Sequence, residues 1–113
     1  LENNEKTHFH RTKPIAFIER YCSRLNMNSE LIKLCKFVAM KIERNNLIPE
    51  NTPHSVAAGI VYFVAQSCNL NITKKQVNSY SEISEVTINK CYKKLDKIKN
   101  TLIPKSIIAK YSL

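Results

Sequence analysis

Apolar positions recur along this chain at intervals of three and four residues, with polar and charged residues between them, a period that predicts helices throughout. From Pro14, the segment PIAFIERYCSRL places Ile15, Ile18, Cys22 and Leu25 on one face with proline in the first turn, which predicts helix one. Ser29 is expected to cap a second run, SELIKLCKFVAMKIERN, in which Ile32, Cys35, Val38, Ala39 and Ile42 form one stripe. The connector NNLIPENTP carries two prolines and ends on Thr52, a good N-cap, before Pro53, a good first helical residue. Helix three, PHSVAAGIVYFVAQSC, is apolar nearly all round and is therefore expected at the centre. Gly59 in its middle sacrifices about 1 kcal/mol of helix propensity relative to alanine. Together with Ala57 and Ala58 it is best explained by a neighbouring helix that approaches closely. Thr73 with Gln76 three residues on is a capping box opening a short helix four, TKKQVNSYS. Ser84 then caps helix five, expected to run through SEVTINKCYKKLDKIKN. These elements divide the chain into a flexible polar lead-in (1–13), one helical domain (14–100) and a tail (101–113) in which SIIAKYSL is expected either to form one more amphipathic turn or to dock loosely.

Composition narrows the field. At 113 residues the chain is one domain, and 43% hydrophobic with 24% charged residues is the balance of a folded globular protein. A single glycine and four prolines are too few for sandwiches, barrels or glycine-rich phosphate loops. The ten-residue apolar run from Val56 to Ala65 is short of the roughly 18 to 20 residues a membrane span requires, so no membrane partner is expected. Cys22, Cys35, Cys68 and Cys91 include no C-x-x-C pair and sit among apolar neighbours at helical spacing, which reads as buried reduced thiols and not as a metal site. His8 and His10 fall in the lead-in, and His54 reads as a surface or capping residue. No nucleophile and base, paired carboxylates or metal ligands share a spacing worth pursuing, so neither an enzyme nor a cofactor is expected. The chain opens on Leu1 with no initiator methionine and no signal pattern, which is expected of a piece of a larger protein.

Charge then points to a partner. Lys and Arg number 18 against 9 Asp and Glu, a formal +9, which favours polyanions. The excess is uneven: residues 73–113 hold nine basic and three acidic residues, residues 1–72 nine and six. Helices four and five, separated by about three residues, have the pattern of a helix-turn-helix: Val77 in the first helix, Ile83 in the turn, Ser84 as cap, Ile88 and Cys91 in the second. On helix five, Ile88, Cys91, Tyr92, Leu95 and Ile98 make a core stripe, and Lys90, Lys93, Lys94 and Lys97 make a cationic one. The amino end of such a helix enters the DNA major groove while flanking cations meet phosphates. The candidate DNA-binding residues are therefore Ser84, Val86, Thr87, Asn89, Lys90, Lys93, Lys94 and Lys97, with Val86 suited to a thymine methyl and Asn89 to a base edge. Glu82 and Glu85 oppose phosphates nearby.

Three blocks, FIERYCSRL (17–25), NLIPENTPHSVAAGIVYFVAQ (46–66) and SEVTINKCYKKL (84–95), resemble in order the second, carboxy-terminal cyclin-like repeat of the transcription factor IIB family. The resemblance covers residues 14–100. It implies an all-α fold, a five-helix cyclin box with a helix-turn-helix formed by helices four and five. It also implies a nuclear transcription initiation factor whose partners are TATA-binding protein, promoter double-stranded DNA beside the TATA box, and RNA polymerase II. Under it, Val86 and Asn89 match the two base-contacting positions. Asn89 departs from the arginine usual in animal members, Glu50 and Asn51 replace a Gly-Arg pair, and Glu82 stands where the turn usually has glycine. A related RNA polymerase III initiation subunit shares the repeats. A cyclin-type protein-interaction module that does not bind DNA is the alternative from a different class.

Overall fold

The computed structural model describes residues 15–45, 47 and 52–111, and among them the regular elements are all helices. Helix α1 (Ile15–Arg24) buries Ile18 and Cys22 as the spacing predicts, and Tyr21 joins them; Pro14 lies outside the described residues. The chain turns through Asn26 at φ 58°, a left-handed conformation that asparagine tolerates better than most residues. Helix α2 (Ser29–Asn45) differs from expectation at its start. Ser29 is already helical, and the cap is Asn28, whose Oδ1 accepts from the Leu31 N–H at 2.8 Å. An N-cap oxygen reaches the amide two or three residues ahead, and Asn28 occupies the position from which Leu31 is in range. The buried stripe of α2 is also wider than the period alone implied, because Leu31 and Leu34 enter the core and Ile32 only half enters it.

Helix α3 (Pro53–Ser67) begins as its sequence dictates. Thr52 is extended (φ −74°, ψ 158°) and its hydroxyl accepts from the Ser55 N–H, with Pro53 in the first turn. Ala57, Ala58, Ile60, Val61, Phe63, Val64 and Ala65 have no exposed surface, so this helix is the axis around which the others pack. Helices α1 and α2 cover one side of it; α4 (Lys74–Ser81) and α5 (Glu85–Asp96) cover another, with α5 making the most extensive contact. Gly59 is the reason α5 comes so near: a Cβ at this position would overlap the Cβ of Cys91. All four cysteines are buried and none forms a disulfide; Cys22 and Cys35 meet with their sulfurs 3.8 Å apart.

Helix five is shorter than predicted. It stops at Asp96, the chain bends through Lys97 and Ile98, and a single turn, α6 (Lys99–Leu102), follows. The bend brings Leu102 and Ile103, in the segment read as tail, fully into the core, which a straight continuation of α5 would carry past it. Lys41 fastens this corner to α2 by donating to the Thr101 carbonyl at 2.6 Å. The last helix, α7 (Lys105–Tyr111), rests against the start of α2: the Tyr111 hydroxyl donates to Glu30 Oε1 at 2.6 Å and Lys110 pairs with the same carboxylate at 2.9 Å.

Candidate nucleic-acid interface

The turn between α4 and α5 is fixed from both ends. Helix α4 opens with the complete capping box: Thr73 Oγ1 accepts from the Gln76 N–H at 3.1 Å, and Gln76 Oε1 accepts from the Thr73 N–H at 2.8 Å. It closes on Glu82, which is left-handed (φ 63°, ψ 13°) with its N–H bonded to the Asn78 carbonyl at 2.8 Å. Asn78 then donates through Nδ2 to the Ile83 carbonyl at 2.7 Å, and Ser81 Oγ accepts from the Ile83 N–H at 3.1 Å while donating to the Val77 carbonyl. Val77 and Ile88 are buried on either side and Ile83 is half-buried between them. The apolar pattern located this turn, whereas Asn78 and Ser81, whose amide and hydroxyl hold it, were missed. Their signal was asparagine and serine within reach of a turn backbone.

Helix α5 opens on Ser84 (φ −62°, ψ 151°), whose Oγ accepts from the Thr87 N–H at 3.2 Å and donates to Thr87 Oγ1 at 3.0 Å. The hydroxyls of these two candidate residues are thus engaged with each other. Along the helix, Ile88, Cys91 and Leu95 are buried, so Val86, Lys90, Lys93 and Lys97 fall in a narrow sector on the opposite side. Val86 is 64% exposed, more than any other large hydrophobic residue among those described. Lys90, Lys93 and Lys97 are exposed, and none of their side chains is in an ion pair or hydrogen bond with a described residue. Asn89 is half-buried on one flank of this sector; Lys94, half-buried on the other, is engaged within the protein. The structure thus brings five of the eight candidates, Val86, Asn89, Lys90, Lys93 and Lys97, onto one open surface, with Lys94 at its margin, Thr87 half-buried on the same flank as Lys94, and Ser84 serving as the cap.

Beside Glu85 lies a groove of about 470 Å³ lined by Tyr62, Gln66, Thr73, Lys74, Lys75 and Glu85 among others. Gln66 closes its floor by donating to the Ile72 carbonyl at 2.8 Å. Lys74 stands over the Tyr62 ring at 5.7 Å, and Tyr62 meets Tyr92 edge-on at 5.1 Å. Burial, then Asp96 and Tyr62, push the Tyr92 hydroxyl above the usual phenol range, so it stays protonated. The lysine pair at the start of α4 was counted in the charge of this half of the chain but not placed; sharing this groove with Glu85, it extends the cationic surface around the amino end of α5. Elsewhere, His54 is exposed and its ring packs on Phe17 at 4.0 Å, and no cluster of His, Cys, Asp and Glu among the described residues is fit to hold a metal. No helix among them is long and apolar enough to cross a membrane. His8, His10, Glu50 and Asn51 lie outside the described residues.

This architecture, a central apolar helix ringed by others and ending in a capped helix-turn-helix, is that of a cyclin-like repeat. Residues 7–98 match the transcription factor TFIIB repeat, and the chain belongs to that family. It is 34% identical over 79 residues to a transcription initiation factor IIB-like protein of Acanthamoeba polyphaga mimivirus, a match covering 70% of this chain and 17% of that protein. Over 88 residues it is 33% identical to transcription initiation factor IIB of Dictyostelium discoideum, covering 78% of this chain and 27% of the other. Over 100 residues it is 30% identical to transcription initiation factor IIB of Encephalitozoon cuniculi, covering 85% and 31% respectively. The chain therefore spans no more than about a third of the length of these relatives.

Proposed function

We propose that this chain is the carboxy-terminal cyclin-like repeat of a transcription factor IIB-type initiation factor. In this reading it acts in the nucleus, binds promoter DNA beside the TATA box together with TATA-binding protein, and helps assemble the RNA polymerase II initiation complex. The observation that carries the proposal is the open face of α5: an exposed Val86 at the amino end followed by Lys90, Lys93 and Lys97, none of them occupied by a carboxylate of the described residues. A helix held at its amino end by a rigid turn and opposed to the core is the geometry by which such motifs enter the major groove. The relatives, all transcription initiation factors by name, support the same role. An electrophoretic shift on TATA-bearing duplex, with and without TATA-binding protein, tests it. A further retarded complex is expected when this chain joins TATA-binding protein, and Val86→Asp is expected to abolish that complex while the chain stays folded. Absence of the complex with the unaltered chain overturns the proposal.

One observation favours the protein-interaction alternative. Phe37 and Met40 are each 44% exposed on the outer face of α2, with the Lys41 ammonium 5.4 Å from the centre of the Phe37 ring. A module that used only this face would form no DNA complex in the same assay.

A further inference from the structure

We infer that the amino end of α5 reads an adenine·thymine step, Asn89 taking the adenine edge and Val86 the thymine methyl. This rests on the DNA-binding reading above and adds the identity of the base pair. The side chains at that end differ in which groups they have left to offer. Ser84 commits its hydroxyl to the cap, donating to Thr87 Oγ1 and accepting from the Thr87 N–H, and Thr87 is half-buried on the flank of the helix away from Asn89. Glu85, which would accept from cytosine, lines the groove shared with Lys74 and Lys75, away from the sector that carries Val86. Lys90, Lys93 and Lys97 lie farther from the amino end, where a recognition helix passes the backbone and cations meet phosphates.

That leaves Val86 and Asn89. The Asn89 amide has no hydrogen-bond partner among the described residues, and none of their side-chain nitrogen or oxygen atoms is both buried and unbonded. Its amide is therefore open to solvent with a donor and an acceptor in a fixed fork, which matches the N7 acceptor and N6 donor of adenine. Guanine offers two acceptors in the same place and would leave the amide oxygen facing another oxygen. Val86 lies three residues earlier, so the two side chains are neighbours about 5–6 Å apart on the helix surface. That spacing suits one base pair or two adjacent ones, stacked about 3.4 Å apart. A valine exposed to this extent offers only apolar contact, and the thymine methyl is the apolar group of the major groove.

A separate observation agrees. The chain contains 14 lysines against 4 arginines, 12 asparagines and 13 isoleucines, with a single glycine. Lysine, asparagine and isoleucine are all specified by codons with A or T in the first two positions. Such a composition is what A·T-rich coding DNA produces, and promoters of the same base composition would offer A·T steps in abundance.

The test is selection from a randomised duplex pool carrying a fixed TATA element, with TATA-binding protein and the 113-residue chain present, followed by atomic substitution at the enriched position. An A·T pair is expected at a fixed distance from the TATA element. Replacing its adenine by 7-deazaadenine is expected to weaken binding by about fivefold or more, the low end for one bidentate base contact, and to have no effect on Asn89→Ala. Replacing its thymine by uracil is expected to weaken the unaltered chain but not Val86→Ala, and Asn89→Arg is expected to move the preference to guanine. Retention of duplexes without preference, or with G·C at that position, overturns this inference and leaves DNA binding intact. Failure to retain any duplex beyond TATA-binding protein alone overturns both.

Discussion

Glu82 is the residue whose conformation sits least easily with its chemistry. At φ 63° and ψ 13° its Cβ crowds the backbone, a strain of about 1 kcal/mol or somewhat more that glycine does not have. Its N–H is nonetheless bonded to Asn78, and the turn depends on that geometry. Glu82→Gly is therefore expected to raise stability by about 1 kcal/mol in urea unfolding, with the added freedom of glycine in the unfolded chain subtracting part of the gain. Loss of stability would mean that the carboxylate makes a contact worth more than the strain. Gly59 presents the opposite case. Alanine is the better helix former by about 1 kcal/mol, yet its methyl would overlap Cys91, and overpacking a core typically costs about 1–3 kcal/mol. Gly59→Ala is expected to lower the urea midpoint, and an unchanged or higher midpoint would place α5 farther from α3 than described.

Among the helices, α7 is attached by polar contacts more than by burial, since none of its residues is fully buried. Its anchor is Glu30, which accepts from the Tyr111 hydroxyl and from Lys110, while Asn28 and Asn69 bond the Tyr111 hydroxyl and carbonyl. The hydrogen bond from Tyr111, then that from Lys110, hold the Glu30 carboxyl below the usual carboxylate range. A carboxyl with a depressed folded-state pKa stabilises the docked form above its unfolded value, and that contribution is lost as pH falls through the lowered one. Hydrogen-exchange protection over residues 105–111 is accordingly expected to fall on acidification below the ordinary carboxylate range, with α3 remaining protected; Glu30→Gln should remove the pH dependence. The cause of this attachment was not readable in sequence, because Glu30 and Tyr111 are 81 positions apart and only the fold brings them together. Local signals were readable: the Thr52, Thr73 and Ser84 caps each depend on residues within three positions. Where two adjacent residues were both capable caps, as Asn28 and Ser29 are, local chemistry could not choose. The bend at Lys97 and Ile98 has neither glycine nor proline to announce it; it follows from the burial of Leu102 and Ile103.

Taken whole, the molecule separates two kinds of lysine. Lys36 and Lys110 are paired with Glu19 and Glu30, and those pairs lower both carboxyls. Lys90, Lys93 and Lys97 face solvent on α5 with no such partner among the described residues. A cation already neutralised by a neighbouring carboxylate releases no net counterion when it meets a phosphate, whereas an unpaired one does. The composition gave only the total of +9, and the location of the apolar stripe on α5 indicated which lysines face outward, but which of them carry partners required the fold. Removing one phosphate contact lowers the magnitude of the slope of log K against log salt by about 0.9 on duplex DNA. Lys93→Ala and Lys97→Ala are each expected to flatten the slope by about that amount for the complex with TATA-binding protein on a TATA duplex. Lys36→Ala is expected to leave it unchanged. Equal slopes in all three variants would remove the α5 lysines from the interface, while a loss at Lys36 as large as at Lys93 would mean the field of the entire molecule, and not one helix, holds the DNA.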